Sequence, residues 1–444
     1  MDQSEETVVP GSGEAGEELT DEAFASLMER LTAEAFIPKS MSYVPFPFGE
    51  HGEETGDVAA WSNEKNAREN LFHTADDLWP YYLDMMQTFL SSEEENRVVS
   101  PVNVFFALAI LAEITDGDTR AEILDELNAD SLETIRKEAE AVFAVNSADD
   151  GRYISLLSAS VWLSDRCRYR EETLKNLADI YHASAFSGTM GSDEYNRALQ
   201  EWLNRGTRGL LKEQAVNMKM PATTLLALAT TIYLKAGWDE AFTEALNTEE
   251  TFHGASGEEA AVFMHRTKKG AVYEGAHFTA ACLPVGTSGA YMWFVLPKEG
   301  TMPADLLKDP EALEFLRKQH SYETYEEGEV VWSMPQFDVA SDLNLCEGLM
   351  EMGILKVFDS AESDFSPVFV DKRDAYVSKA QHAARVTVDE EGVEAAAFTV
   401  VFLGESWEEP AERRILFTFD RPFLFMVAGP DGAPLFAGTV NSVS

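Results

Sequence analysis

The residues of this chain that are best suited to a function form one continuous run near the carboxyl end. The run begins as a strand at Val386, passes through an acidic turn that contains Gly392, and continues into strand-forming residues from Thr399 to Leu403. Glycine adopts backbone conformations that other residues avoid, and branched and aromatic side chains favour strands. These residue types favour a conformational change in which a strand exchanges its partners, rather than catalysis by this chain.

Small side chains follow the glycine and leave room for the segment between two neighbouring strands. The acidic and alanine-rich stretch, which we call the hinge, consists of Glu390, Glu391, Gly392, Val393, Glu394, Ala395, Ala396 and Ala397. Because side chains alternate along a strand, residues 393, 395, 397, 399, 401 and 403 share one face, and none of them is charged. An ordinary buried strand has a similar composition, so the hinge alone leaves both interpretations open.

Motifs of bond-making enzymes are missing from the sequence. It contains no G-x-S-x-G, H-E-x-x-H or P-loop motif, and its eight histidines are scattered without ligand spacing. The run from Gly11 to Gly16 matches G-x-G-x-x-G, but no apolar strand precedes it and its acidic residue would repel a pyrophosphate. We therefore predict a protein that is not an enzyme and that uses no metal or cofactor.

Composition indicates one large globular domain with a strongly acidic surface. The 444 residues are 45% hydrophobic, and the formal net charge is -44. Such a charge repels phosphate backbones and anionic lipids, so we expect neither nucleic acid nor a membrane surface as a partner. No apolar run reaches the roughly eighteen residues of a membrane span.

The cysteines and the first residues bear on the compartment. Cys167, Cys282 and Cys346 are odd in number and lack C-x-x-C spacing, which predicts buried free thiols rather than disulfides or a zinc site. The first residues lack the basic and apolar regions of a signal peptide. The localisation stays open: secreted or at the cell surface if a signal was removed ahead of Met1, and cytoplasmic otherwise.

Apolar spacing predicts several of the elements that must position the hinge. Leu78 to Phe89 show helical spacing, Pro101 suits a first helical turn, and Thr119 to Glu122 match a capping box that opens another helix. Residues 155–163 and 224–242 are apolar stretches too continuous for a sheet with one face in water. We assign both stretches to a covered sheet.

A second motif supports the interpretation of the hinge as a segment that exchanges strand partners. The run from Phe417 to Val427, FTFDRPFLFMV, resembles the C-terminal signature of the serpins, and the hinge resembles the hinge of their reactive loop. The resemblance covers roughly residues 76–444 and implies an α+β serpin fold. This fold has a large central mixed sheet able to accept the reactive loop as an extra strand, two smaller sheets and about eight or nine helices. Residues 1–75 are then an acidic, partly disordered extension, and 76–444 form the serpin domain with its reactive loop at about 390–415.

The resemblance also implies a mechanism. In serpins a target protease cuts the reactive loop, the loop inserts into the main sheet, and the attached enzyme is trapped as its acyl-enzyme. We therefore expect a monomeric suicide inhibitor of serine or cysteine proteases. Burying Val393, Val401 and Leu403 would contribute about 1.5–3 kcal/mol each, so an uninserted loop implies a metastable fold held by a kinetic barrier. The alternative is a noninhibitory serpin that acts as a binding or carrier protein.

Counting from the hinge predicts the bond that the protease cuts. Serpins commonly carry it about fourteen residues after the hinge glycine, which puts Ser406 before the bond and Trp407 after it. The bond between Glu405 and Ser406 is the second choice. Either bond suits elastase-like or glutamate-preferring proteases, whereas Arg413 and Arg414, which would suit trypsin-like enzymes, lie too far along the chain.

Four further residues match the shutter, a buried hydrogen-bond cluster beneath the main sheet of serpins. Ser100 and His382 match it directly, whereas Asn103 stands where a serine is usual and Thr230 where an asparagine is usual. Because a hydroxyl replaces an amide, we expect the restraint on sheet opening to be rewired. Trp238 matches the tryptophan at the breach, where the loop first enters the sheet.

Two helical regions complete the resemblance. Leu199, Trp202 and Leu203 have the core spacing of a helix, similar to the one that lies across the serpin sheet. Residues 119–143 match the region where some serpins bind acidic polysaccharides, yet they contain only three bases among many acids. We therefore expect no acidic polysaccharide as a cofactor.

Overall fold

Helices and strands are both numerous in this chain. The computed structural model describes residues 19–32, 38, 42–48, 54–371, 374–393 and 413–443. Within these residues the α-helices are Asp21–Leu31 (α1), Val58–Glu69 (α2), Trp79–Phe89 (α3), Pro101–Ile114 (α4), Gly117–Glu126 (α5), Leu132–Asn146 (α6), Glu171–Asp179 (α7), Asp193–Gly206 (α8), Lys212–Val216 (α9), Pro303–Leu306 (α10), Pro310–Lys318 (α11) and Cys346–Glu351 (α12).

The strands of the same residues belong to two sheets. In chain order they are Arg97–Val99 (β1), Ala148–Asp149 (β2), Tyr153–Ser164 (β3), Ala183–Gly188 (β4), Leu226–Gly237 (β5), Thr248–Gly254 (β6), Gly257–Glu274 (β7), Phe278–Val285 (β8), Ala290–Pro297 (β9), Tyr325–Pro335 (β10), Phe337–Asn344 (β11), Gln381–Val388 (β12), Gly392–Val393 (β13), Arg414–Thr418 (β14), Phe423–Ala428 (β15) and Pro434–Val440 (β16).

The seven-stranded sheet is mixed and carries the hinge. Its strand order is β11-β12-β13-β5-β3-β2, and β4 pairs in parallel with β3 beside this path. Strand β13 is antiparallel to both of its neighbours, β12 and β5. Residues 155–163 and 224–242, which the sequence assigns to a covered sheet, supply β3 and β5 of this sheet.

The nine-stranded sheet is continuous where two smaller sheets were expected. Its order is β1-β16-β15-β9-β8-β7-β10-β14, with β6 beside β7. The long strand β7 joins the two halves because it pairs with β6 and β10 along most of its length and with β8 only at its end. The described helices are also more numerous than the eight or nine expected, since α1 and α2 precede the region of resemblance and several others are very short.

Helix α4 lies in the core between the two sheets. It packs against β5 of one sheet and β16 of the other, and nearly all of its residues are buried, including Val102, Phe105 and Leu108. Burial on all sides explains why its sequence lacks a polar stripe. None of the described helices combines the length and the apolar character that crossing a bilayer requires.

Helix α5 begins earlier than the sequence suggested. Its first residue is Gly117 and its N-cap is Asp116, so Thr119 lies inside the helix and the predicted capping box is wrong. The carboxylate of Glu122 instead accepts hydrogen bonds from the backbone N–H groups of Leu355 and Lys356, at 2.8 and 2.7 Å. The side chain of Glu122, which the local sequence predicted to cap the helix, therefore makes a tertiary contact instead.

Parts of the N-terminal extension pack on the body. Phe46 donates its backbone N–H to the carbonyl of Asp150, and its ring contacts the ring of Trp61 in α2. Helix α1 contributes Leu27 and Met28 to a second hydrophobic cluster. The domain division at residue 75 stays a prediction, but residues on its N-terminal side have fixed positions against the serpin-like body.

Candidate functional site

The hinge begins as a short strand inside the seven-stranded sheet. Val393 lies opposite Val388 of β12 on one side and Ala236 of β5 on the other. All three side chains are buried, and Val393 is only 2% exposed. Gly392 and Val393 therefore bridge two strands that share no ladder of their own within the described residues.

A tight turn precedes this strand and is anchored through its backbone. Asp389 donates its N–H to the carbonyl of Gly392, and its carboxylate accepts from the N–H groups of Glu391 and Gly392, at 2.9 and 3.2 Å. An Asp side chain that binds the backbone two residues on is a common turn former. The sequence prediction included the other turn residues in the hinge but left out Asp389.

Trp238, the predicted breach residue, holds this turn from the side. Its indole Nε1 donates to the carbonyl of Asp389 at 2.8 Å, and its backbone N–H donates to the carbonyl of Glu391 at 2.9 Å. The carbonyl of Glu390 accepts from the N–H of Phe242 at 2.8 Å. All three carbonyls of the turn are thus satisfied by the segment that begins at Trp238.

The Glu390 side chain adds a polar anchor that the sequence did not predict. Its Oε1 accepts from the amide of Gln336 at 2.7 Å and from the amide of Asn247. The carboxylate is therefore held by two neutral donors from separate segments of the chain. Hydrogen bonds to a charged acceptor are stronger than neutral ones, so this contact fixes the near end of the hinge.

Gly392 stands where no larger residue fits. A Cβ atom built on it would lie 2.3 Å from the carbonyl oxygen of Ala236 and 2.6 Å from the Cα of Gly237. Both are backbone atoms of β5, which have little room to shift. Close approach of two backbones therefore requires glycine here. The role of Gly392 as the hinge glycine stays a prediction.

The remaining predicted site residues of the loop lie outside the described residues. They are Glu394, Ala395, Ala396, Ala397, Glu405, Ser406 and Trp407. Their roles stay predictions. The structure thus brings together the first half of the hinge, from Glu390 to Val393, with the breach tryptophan.

The four predicted shutter residues meet beneath the same sheet. Ser100 is the N-cap of α4, its Oγ accepts from the N–H of Asn103 at 3.2 Å, and its own N–H donates to Nε2 of His382 at 3.0 Å. Thr230 Oγ donates to the carbonyl of Asn103 at 3.5 Å, the long limit for such a bond. The threonine link is therefore weak, whereas the Ser100–His382 link is well formed.

Burial sets the protonation state of His382. The ring is 4% exposed, and desolvation lowers its pKa to about 4. Its Nε2 accepts a backbone N–H, so the neutral ring carries its proton on Nδ1. The geometry gives this histidine a structural role, as an acceptor that joins β12 to the start of α4.

The comparison with known families agrees with this arrangement. A family model described as "Serpin (serine protease inhibitor)" matches residues 81–443. The chain belongs to the serpin family. Serpins are a family of protease inhibitors, so the family as a whole points to inhibition rather than catalysis.

Curated serpins match along most of their length. Alpha-1-antiproteinase 2 of Equus caballus is 27% identical over 361 residues, which cover 79% of this chain and 82% of that protein. Leukocyte elastase inhibitor of Homo sapiens is 26% identical over 370 residues, which cover 80% of this chain and 97% of that protein. This serpin thus has relatives whose names describe protease inhibitors.

Solved serpin structures share its architecture. Tengpin, a thermophilic serpin in its native state, superimposes with a TM-score of 0.74 at 21% identity, over 83% of this chain and 94% of tengpin. A thyroxine-binding globulin in complex with thyroxine gives 0.69 at 19% identity, over 85% of this chain and 100% of that one. At these identities the likeness shows the fold alone, and the predicted α+β serpin fold is confirmed.

The two arginines at the carboxyl end of the predicted loop are tied to the body of the serpin. Arg413 and Arg414 form ion pairs of 3.0 Å with Glu326 and Glu329 of β10, and Arg414 is the first residue of β14. The carbonyl of Arg413 also accepts from the N–H of Glu329 at 2.9 Å. Both arginines are therefore engaged by acids of the body, and the position of the scissile bond stays a prediction.

The three bases of residues 119–143 are paired with nearby acids. Arg136 donates to Glu113 at 2.7 Å, and this hydrogen bond raises the pKa of the guanidinium. Desolvation opposes ionisation of Glu113, but the hydrogen bonds from Arg136 and Asn176 outweigh it and lower the pKa of the carboxyl. Lys137 pairs with Glu133 at 3.7 Å, and Arg120 lies 3.1 Å from Asp116, the N-cap of its helix. The expected lack of a polysaccharide cofactor stays a prediction.

Cysteines and metal ligands contribute no reactive cluster. Cys167, Cys282 and Cys346 are free but only half-buried, so the prediction of fully buried thiols is wrong in degree. Burial of the Cys282 sulfur raises its pKa well above the usual range, which disfavours the nucleophilic thiolate. In the part of the chain that the structure describes, no group of three or more His, Cys, Asp and Glu side chains has the geometry to hold a metal ion.

Proposed function

We propose that this serpin is a suicide inhibitor of proteases, and that the segment after Val393 inserts between β5 and β12 once the loop is cut. The observation that carries the proposal is the position of β13. Both of its residues pair antiparallel with β5, and Val393 also pairs antiparallel with β12, in the orientation that a further strand would continue. The family match and the inhibitory relatives support the same conclusion.

Extending this pairing assigns a partner to each residue of the inserted strand. The β5 register continues to residue 403 opposite Leu226, and the β12 register continues to residue 400 opposite Gln381. Residue 395 would then lie between Leu234 and Val386, which are both 3% exposed. The uncharged face of the hinge segment would thus be directed to the core, where a charged side chain would be strongly disfavoured.

Burial along β5 is consistent with an acceptor position. Residues 231–234 are buried, whereas residues 226–230, at the end away from β13, are only half-buried. The residues of β3 that pair with 226–230 are all buried. We propose that the inserted segment completes the cover of this half of β5.

Target choice rests on the predicted scissile bond. A cut on either side of Ser406 presents a small or acidic residue, so we propose elastase-like or glutamate-preferring serine proteases as targets. A cysteine protease of matching preference is a second target class. The family relationship to leukocyte elastase inhibitor is in line with this choice but names the target of that protein only.

The decisive experiment is incubation with an elastase-like serine protease followed by denaturing electrophoresis. A covalent band is expected at the summed mass less that of the carboxyl-terminal peptide, which is cleaved off when the acyl bond forms and separates on denaturation, because the acyl-enzyme is trapped before water releases it. Mass spectrometry of the carboxyl-terminal fragment then identifies the cut bond. Complete cleavage of the loop without a covalent band would reject inhibition and favour a carrier.

Val393→Arg tests the role of the docked hinge. A guanidinium at a position 2% exposed has no acid partner in its strand neighbours, so insertion should fail at its first step. We expect the number of inhibitor molecules consumed per trapped protease to rise roughly tenfold or more, since several kcal/mol oppose burial of the charge. Val262→Arg, at a 39% exposed site on β7, is the matched control and should inhibit normally.

A carrier function is the second candidate because a cleft opens where β7 and β8 separate. The cleft is about 210 Å³ in volume and is lined by Tyr291, His320, Trp332 and Lys268 among others. Small-molecule sites usually measure roughly 300–1,000 Å³. The volume of this cleft is therefore below the usual range for a small-molecule site. The position of the hinge in the sheet supports the inhibitor function more directly than the cleft supports the carrier function.

A further inference from the structure

We propose that α1 is a strap that holds α8 over β5 and slows insertion of the hinge segment. The strap comprises residues 19–32, which precede the region matched by the serpin family. The proposal rests on the proposed function, because it concerns the step in which a strand enters beside β5. It assigns a regulatory role to part of the acidic N-terminal extension that the sequence analysis expected to be partly disordered.

Polar contacts join the two helices at one end. The guanidinium of Arg205 in α8 donates to the carbonyl of Leu19 at 2.7 Å and to the carboxylate of Asp21, and it lies 4.4 Å above the ring of Phe24. The N–H of Leu19 donates to the carboxylate of Glu201, a residue that is 8% exposed. Two charged side chains of α8 are thus used to bind the start of the strap.

Apolar contacts join them along their length. Leu27 and Met28 of α1, 6% and 9% exposed, belong to a cluster separate from the main core. The other buried members of this cluster come from β3, β4, α8 and the segments beside them: Trp162, Phe186, Met190, Tyr195, Ala198, Leu199 and Met220. The strap therefore covers the seam between α8 and the edge of the sheet.

The far end of the strap is attached to the sheet itself. Thr32, which follows α1, forms an isolated β-bridge with Phe186 of β4. Its hydroxyl closes the helix by donating to the carbonyl of Met28 at 2.6 Å. Because one end binds α8 and the other binds β4, the strap restrains α8 from lifting away from the sheet.

Helix α8 in turn lies directly on the acceptor strand. A Cβ atom on Gly206 would lie 2.7 Å from the hydroxyl of Thr231, and Ala227 and Ala229 of β5 pack against the same cluster as the strap. Beyond the helix, the guanidinium of Arg208 lies 4.9 Å above the ring of Tyr233. The outer face of β5 is therefore covered at residues 231 and 233 and partly covered at residues 227 and 229.

This cover opposes insertion for a geometric reason. A strand that pairs with β5 directs alternate side chains to the same outer face that α8 covers. The close contact between Gly206 and Thr231 leaves no space between α8 and β5 for these side chains. Helix α8 therefore has to move away from the sheet while the strand inserts. A strap that resists this movement raises the barrier to insertion, both after cleavage and in the uncut protein.

The test uses full-length variants in two matched pairs. Arg205→Ala removes the polar anchor, and Arg168→Ala, which removes an ion pair to Asp371 between side chains 72% and 45% exposed and outside both helices, is its control. Leu27→Ser with Met28→Ser removes the apolar contact. Ser26→Ala on the exposed side of α1 is its control.

Two readouts separate this proposal from the proposed function. Amide hydrogen exchange of α8 and β5 is expected to rise about tenfold or more in both strap variants, because losing one buried aliphatic side chain outweighs a factor of ten. Loss of inhibitory activity on storage is expected to accelerate similarly, as the uncut loop inserts on its own. Exchange rates equal to those of the controls would overturn the strap.

Failure of inhibition is distinguishable from failure of the strap. If the unaltered protein forms no covalent complex, the proposed function is rejected and exchange alone decides whether α1 restrains α8. If complexes form but strap variants and controls lose activity and exchange amides at the same rates, the strap is rejected and the inhibitor remains. Faster exchange together with faster inactivation supports both.

Discussion

Among single residues, His382 links the shutter to pH. Its folded pKa of about 4 lies below the usual value of about 6.5, because the buried ring is desolvated. Between these two values the unfolded chain binds a proton that the folded chain does not. The contribution of His382 to the free energy of unfolding should therefore fall as the pH drops through this window and stay constant above it.

Substituting His382 isolates this effect. Glutamine retains an acceptor for the Ser100 N–H but does not titrate, so His382→Gln should remove about 2–3 kcal/mol of the pH dependence between pH 7.5 and pH 4. Urea unfolding at both pH values measures the difference between the two proteins. Parallel pH profiles for variant and unaltered protein would contradict the assignment.

The comparison must be made between proteins because buried acids act in the opposite direction. Burial raises the pKa of Glu138 to about 7 and that of Glu126 to about 8, with neighbouring acids adding to the shift. Each therefore weakens the fold as the pH rises from about 4.5 towards its folded pKa. Only the difference between His382→Gln and the unaltered protein cancels these contributions.

At the scale of elements, the two-residue strand β13 depends on the missing side chain of Gly392. Gly392→Ala places a methyl group 2.3 Å from the carbonyl oxygen of Ala236, so β13 should detach and expose Val393. We expect the free energy of unfolding to fall by about 1–3 kcal/mol, measured by urea unfolding. Gly270→Ala, where the nearest atom is 3.7 Å away, should leave it nearly unchanged.

Equal unfolding free energies for the two glycine variants would show that the turn, and not β13, holds the hinge. The contacts of Asp389 and Glu390 would then suffice to fix the segment. Hydrogen exchange at the N–H of Trp238 gives a second measure, since that group is bonded to the turn.

The elements that sequence predicted best are those with strong local or repeated signals. Continuous apolar stretches identified β3 and β5, and the combination of Gly392, alanines and the C-terminal signature located the hinge. The shutter residues could be matched one by one, although the weakness of the Thr230 bond depends on a 3.5 Å distance that no sequence gives.

The elements that sequence missed depend on long-range contacts. Leu27 and Met28 lie in an acidic, glycine-containing region, and their burial follows from α8 and β4, which are distant in the chain. Glu122 looked like a capping residue because its tertiary partners, Leu355 and Lys356, are more than two hundred residues away. Composition and periodicity carry no information about such partners.

For the whole molecule, the proposed mechanism predicts a large difference between cut and uncut protein. Completing the sheet beside β5 and β12 adds a strand to the core, so the cut form should melt at least about 10 °C higher than the intact form. Differential scanning calorimetry measures both. Val393→Arg, once cut, should melt close to its intact form, and equal melting of cut and intact unaltered protein would reject stored free energy in this fold.

The position of the last two strands has a practical consequence for detecting a cut. Strand β15 lies between β9 and β16, β16 lies between β15 and β1, and every residue of both is buried. Cleavage of the backbone near Ser406 therefore yields a nicked protein of two chains. The shorter chain contains β15 and β16 and stays hydrogen-bonded within the nine-stranded sheet. Gel filtration in native buffer is expected to give the same apparent size for the cut and the intact protein. A denaturant is needed to release the peptide so that its mass can be measured.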